Sequence, residues 1–200
     1  MEAAVPKSEP LATADRRRLL TLARTSIEAA VCRTAPPDPQ VASFSGGVMR
    51  PAAAFVTIHE HGELRGCIGL MRFDAPLWIN VRDAAAAAAL NDPRFRPVVA
   101  AELPALELEI SVLEQPVEIP DAAGFVSGRH GIIVERGRRR GLLLPQVATE
   151  MGWDEGQMLE AVCRKADLPS DAWRDRATRL LVFESTCFSE ADLAREPAAL

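Results

Sequence analysis

The chain predicts an α+β domain, mainly antiparallel sheet with flanking helices, and three observations lead there. Runs rich in β-branched and apolar residues come in pairs across short turns, first at 55–58 and 64–69, then at 132–135 and 141–144. Segments with helical spacing arrive singly rather than after every strand, which argues against a doubly wound parallel sheet. The 200 residues are 48% hydrophobic, enough to build a core without disulfide or metal staples.

Residues 1–12, with Pro6, Pro10 and scattered charges, lack a periodic apolar pattern and are expected to be a mobile tail. From Thr13 or Asp15 the residues Leu19, Leu22, Ala23, Ile27, Ala30 and Val31 recur at helical spacing, so an amphipathic helix begins there. Pro36-Pro37-Asp38-Pro39 stops it, and a loop through Ser45-Gly46-Gly47 leads to the first hairpin, with Glu60-His61-Gly62-Glu63 as its turn. Pro76 opens a second helix through Trp78, Val81 and alanines 84–89, which suit close packing on a sheet. Asn91-Asp92-Pro93 ends it, because the residue before proline is pushed out of the helical region.

Leu106, Leu108, Ile110 and Val112 alternate with Glu107, Glu109 and Ser111, a strand with one apolar face and one acidic face. Pro116 and Pro120 bound a short edge strand. The second hairpin has a basic tip, Arg136 to Arg140, which could hold a phosphate or an acidic partner. Charged tips also keep edges soluble, and that simpler reading stands beside the first. Pro145 opens a short helix, Asp154 with Gln157 has capping-box spacing for a longer one, and Met158, Leu159, Val162 and Cys163 form its buried stripe. A turn of helix is expected around Trp173, a final strand at 179–184, and Cys187 and Phe188 packing beyond it. One domain is expected over 13–190, with 191–200 as a C-terminal tail.

Composition narrows the function classes. The cysteines at 32, 67, 163 and 187 form no Cys-x-x-Cys pair, so neither a zinc ribbon nor a thioredoxin-type site is indicated. No basic leader precedes an apolar stretch, and no apolar run approaches the roughly 20 residues that span a bilayer, so a cytoplasmic protein without a membrane partner is expected. A net charge of −5 argues against a dedicated nucleic-acid binder. Glycine-rich phosphate loops and the Gly-x-Ser-x-Gly elbow are missing, and no cofactor is expected.

The stretch Glu63-Leu64-Arg65-Gly66-Cys67-Ile68-Gly69 carries the candidate chemistry. Strand alternation puts Leu64, Gly66 and Ile68 on one face and Arg65, Cys67 and Gly69 on the other. A guanidinium two residues away, at roughly 6.5 to 7 Å, favours thiolate over thiol. Glycines at 66 and 69 weaken a strand unless a backbone or ligand must come close, as in a binding cleft beside Cys67. A half-buried structural cysteine is the alternative.

The hexapeptide Leu64-Arg65-Gly66-Cys67-Ile68-Gly69 resembles the hallmark of the AMMECR domain family, also called AmmeMemoRadiSam system protein A. Asn91-Asp92-Pro93-Arg94-Phe95, Leu108-Glu109-Ile110-Ser111-Val112-Leu113, Gly128-Arg129-His130-Gly131-Ile132, Gly141-Leu142-Leu143-Leu144-Pro145-Gln146-Val147 and Cys163-Arg164-Lys165-Ala166 are similar to it as well. The likeness covers about residues 15 to 190. It implies a main antiparallel sheet with a smaller subdomain, a site at the hexapeptide, and no agreed reaction. It also implies partners: a Memo-like protein and a radical S-adenosylmethionine protein.

On these grounds Cys67, Arg65, His130 and Glu109 are the candidate catalytic residues, and Gly66, Gly69 and Arg94 the candidate ligand-binding ones. Cys67 would be the nucleophile and Arg65 the grip on an anionic small molecule. His130, between glycines, would be the base, and backbone N–H groups at Gly66 or Gly69 would stabilise an oxyanion. Glu109 enters through its family segment, since a solvated sheet face explains Glu107 and Glu109 equally. Arg94 enters with a turn that the resemblance groups with the hexapeptide, although packing of Phe95 would also explain that turn. His59 and His61 form a His-x-His pair that could ligate metal on a strand, but Gly62 makes His61 a turn residue, and no metal is assigned. The expected activity is that of an enzyme or enzyme component acting on a small anionic molecule at an Arg65/Cys67 cleft. The alternative is a non-catalytic ligand- or protein-binding module.

Overall fold

A computed structural model describes residues 10–37 and 44–195. The tail expected over 1–12 lies, through residue 9, outside the described residues, as do 196–200 and part of the loop after the first helix. The described chain forms two compact units, one from 10–113 with 186–195 and one from 114–185. Each holds a four-stranded antiparallel sheet, so the fold is the expected mixed one.

In the first unit the strands are β1 (Ala53–Glu60), β2 (Glu63–Leu70), β3 (Leu106–Leu113) and β8 (Ser185–Ser189), ordered β2-β1-β3-β8. The helices are α1 (Thr13–Cys32), α2 (Gly46–Met49), α3 (Leu77–Leu90) and α6 (Glu190–Arg195). The last runs beyond the boundary expected at residue 190. Helix α1 ends at Arg33 in a left-handed conformation, φ 57, before the prolines are reached. Alternation along β1 and β3 sends Val56, Ile58, Leu108 and Ile110 into one core with Leu19, Ala23 and Ile27 of α1 and Ala84, Ala85, Ala88 and Ala89 of α3. The alanine run lets α3 approach the sheet so closely that a Cβ on Gly66 would lie 2.4 Å from the Ala88 carbonyl oxygen. At 69 a Cβ would lie 2.2 Å from the Phe55 ring. Protein, not a ligand, therefore occupies the space beside both glycines of the hexapeptide.

The first hairpin turns on His61 and Gly62, with φ 53 and 81. Positive φ at both central residues matches the twist of the strands, and it takes His61 off the strand that carries His59. The register then slips: Ile58 pairs with Gly66 but His59 with Leu64, which leaves Arg65 as the extra residue of a bulge.

In the second unit β4 (Val117–Ile119), β5 (Gly131–Arg136), β6 (Arg139–Leu143) and β7 (Arg179–Phe183) are ordered β4-β7-β5-β6. Helix α4 (Pro145–Met151) precedes α5 (Glu155–Lys165), which opens with the expected capping box of Asp154 and Gln157. Met158, Leu159, Val162 and Cys163 are buried against Ile132, Val134 and Val182. Burial pushes the Cys163 thiol up from its ordinary value, so it is a core group.

Candidate functional site

The face of the first sheet opposite α1 and α3 carries Phe55, Thr57, Cys67, Glu109 and Ser111. Cys67 lies across from Thr57, whose hydroxyl donates to the sulfur at 3.2 Å. The residue is half-buried. Because β2 is an edge strand, its outward backbone groups need partners from elsewhere. At Cys67 the turn after α3 supplies them. Asp92 Oδ2 accepts the Cys67 N–H at 2.8 Å, and Arg94 Nη2 donates to the Cys67 carbonyl oxygen at 3.3 Å.

Asp92 also grips Arg94. Its Oδ1 accepts from the Arg94 backbone N–H at 3.1 Å and from Nε at 3.0 Å, while Oδ2 accepts from Nη2 at 2.7 Å. The Asp92 side chain is 2% exposed and that of Arg94 54% exposed. The Arg94 guanidinium holds the Asp92 carboxyl far below the usual carboxylate range, with the Cys67 N–H contributing and burial opposing. Arg94 is correspondingly raised, first by Asp92 and less strongly by the sulfur of Cys67. A buried carboxylate thus fixes a solvent-facing guanidinium next to a thiol. The Arg94 guanidinium also lies over Phe95, 5.4 Å from the ring centroid.

Arg65 does something else. The strict alternation expected over 64–69 holds from Gly66 to Gly69 and breaks at the bulge, where Arg65 turns to the segment at 96–102. Its Nε and Nη2 meet the two Glu102 oxygens at 2.8 and 3.2 Å, and Nη1 donates to the Arg96 carbonyl oxygen at 2.9 Å. Arg65 lowers the Glu102 carboxyl, and Glu102 Oε2 also accepts the Val99 N–H at 2.7 Å. With its side chain 14% exposed, Arg65 is a brace for that segment.

Glu109 sits opposite Thr57 on β3, two strands from Cys67 and so roughly 9.5 Å away in backbone terms. Its closer thiol is Cys187 on β8, which is exposed in the chain but whose sulfur loses enough hydration to be pushed up to about 12, with Ser111 opposing and Glu109 adding to the rise. His130 belongs to the second unit, where it is 1% exposed and its Nδ1 accepts the Val126 N–H at 3.2 Å. That bond fixes the proton on Nε2.

The basic tip is mostly committed as well: Arg136 pairs with Asp175, Arg140 with Glu135, and Arg139 donates to the Asp167 carbonyl oxygen. No group of three or more possible metal ligands occurs among the described residues. No helix of the described residues is long and apolar enough to cross a membrane.

Asp92 was missed as a functional residue in the sequence. The available signal was an aspartate just before a proline at a helix end, followed two residues later by an arginine, a spacing that lets one carboxylate bind the arginine's backbone and side chain together.

Comparison with known proteins gives consistent results. The AMMECR1 family profile matches residues 20–188. A protein of Methanothermobacter thermautotrophicus is 42% identical over 195 residues, covering 92% of this chain and 98% of that one. One of Aquifex aeolicus is 38% identical over 152 residues, covering 72% and 77%. The crystal structure of the uncharacterised protein PH0010 from Pyrococcus horikoshii matches with a TM-score of 0.79 at 36% identity, covering 88% of this chain and 92% of that one.

Proposed function

The chain belongs to the AMMECR1 family, and from that premise we propose that it is an enzyme, or a component of one, acting on a small anionic molecule at the sheet face that carries Cys67. One observation carries the reading: Asp92, almost wholly buried, is spent on fixing an exposed guanidinium against the backbone of a half-buried cysteine. Burying a carboxylate costs several kcal/mol unless charge and hydrogen bonds offset it, and a merely structural cap could be built more cheaply from a neutral side chain. The anion grip expected of Arg65 passes to Arg94, which keeps donors facing solvent. Thr57 favours the sulfur as an acceptor, so Cys67 is presented as a nucleophile or as a soft contact for the bound molecule.

Alkylation by two reagents of similar size and different charge tests this. With the two exposed cysteines removed (Cys32→Ser, Cys187→Ser), the rates of Cys67 modification by iodoacetate and by iodoacetamide are measured by peptide mass spectrometry. Each reaction is displacement of iodide by the thiolate. The anionic reagent should gain on the neutral one, and Arg94→Gln should reduce that rate ratio by about fivefold, the effect of roughly 1 kcal/mol of charge attraction. A ratio indifferent to Arg94→Gln, or a Cys67 that neither reagent reaches, would refute the proposal.

A further inference from the structure

We propose a second ligand site, for a small organic phosphate, in the unit formed by 114–185. The segment from β4 to Ala123 and the segment from Trp173 to the start of β7 enclose an open cavity of about 750 Å³. That volume suits a ligand of tens of atoms rather than a bare ion. Two of its lining residues hold buried polar atoms with no hydrogen-bond partner among the described residues: the Thr178 hydroxyl, in a residue 6% exposed, and the Trp173 indole N–H. Buried donors are matched in the great majority of cases, so two orphans at one cavity point to a missing acceptor.

The charges around the cavity agree. Glu118 is held by Arg179, and Asp175 by Arg136, so these acids are neutralised by the protein itself. Asp121 accepts the Ala123 N–H at 2.9 Å. Arg174 lies over Trp173, 4.6 Å from the ring centroid, and Arg176 is exposed; among the described residues neither has a carboxylate partner. The donors left over are two guanidinium groups, one hydroxyl and one indole N–H, a set that matches phosphoryl oxygens. Pro120, Ala122 and Leu180 offer an apolar wall for the organic part. This site is independent of Cys67 and of the function proposed there.

The indole N–H gives a direct readout. In ¹⁵N-labelled full-length protein, the three tryptophan indole resonances are assigned by single Trp→Phe changes and followed on adding phenyl phosphate, with inorganic phosphate and phenol as separate probes. The Trp173 resonance should move saturably with phenyl phosphate, less with inorganic phosphate and not with phenol. Arg176→Ala, on the surface, and Thr178→Val, near-isosteric, should each weaken the apparent affinity by about threefold to tenfold. A stationary Trp173 resonance would overturn the proposal. So would movement that is unchanged in Arg176→Ala, or equal movement with phenol, which would mark the cavity as an apolar hollow.

Discussion

Asp92→Asn removes one charge and hardly any volume, and so isolates what the buried carboxylate contributes. Both oxygens accept from N–H donors: Oδ2 from Cys67 N and Arg94 Nη2, Oδ1 from Arg94 N and Nε. Whichever way an asparagine amide turns, its NH₂ meets a donor, and at least two charge-assisted hydrogen bonds are lost. Each is worth about 1.5 to 3 kcal/mol when shielded, and the exposed Arg94 end discounts the sum, so the expected loss is about 2 to 4 kcal/mol at neutral pH. Urea unfolding of the first unit measures it through Trp78, the other tryptophans having been changed (Trp153→Phe, Trp173→Phe).

The pH dependence supplies the second half of that test. The folded-state carboxyl is depressed, so its contribution is complete above the unfolded value of about 4 and is lost as the pH falls through the folded value. The gap between wild type and Asp92→Asn should therefore be constant from pH 7 to about 5 and shrink as the solution is taken below about 4. A gap under about 0.5 kcal/mol at pH 7 would be no larger than an ordinary surface substitution. That result, or a gap that does not narrow in acid, would refute the assigned role.

Two further outcomes follow from the geometry. Gly66→Ala places a methyl group 2.4 Å from the Ala88 carbonyl oxygen, where only movement of α3 could relieve it. It should destabilise the first unit by about 2 kcal/mol or more, read as a lowered urea midpoint with an unchanged m-value. Arg65→Ala should cost about 2 kcal/mol by releasing Glu102 and the Arg96 carbonyl, and should speed hydrogen exchange at Val99. It should leave the iodoacetate-to-iodoacetamide ratio at Cys67 within about twofold, since a screened guanidinium already paired with a carboxylate exerts little field.

The elements whose side chains repeat with a clear period were legible in the sequence. Val56 and Ile58, Leu108 and Ile110, and the stripe from Met158 to Cys163 are buried as their spacing requires. Turn chemistry was legible too, as in His61-Gly62 and in the box of Asp154 and Gln157. What could not be read was the bulge. It depends on the register between β1 and β2, a pairing property with no local signature beyond a glycine, and it sends Arg65 away from Cys67. The contact of Asp92 and Arg94 with Cys67 joins residues 25 and 27 positions apart, so periodicity could not reveal it. Resemblance did bring both segments into view, without showing which arginine stood beside the sulfur. The glycines of the hexapeptide were recognised as close-approach positions, but only the fold identifies the close neighbours as a helix backbone and a phenylalanine ring.

Strand β8 lies beside β3, although the entire second unit separates them along the chain. Translation runs from the N-terminus, so the ribosome delivers the residues of the second unit as one uninterrupted piece before the older unit receives its closing strand. During synthesis the older sheet must wait with a bare flank beside Leu106–Leu113, a hazard for pairing with a neighbouring nascent chain. Emergence of Ser185–Ser189 from the tunnel ends that exposure, so early termination anywhere between 114 and 185 should leave an aggregation-prone fragment.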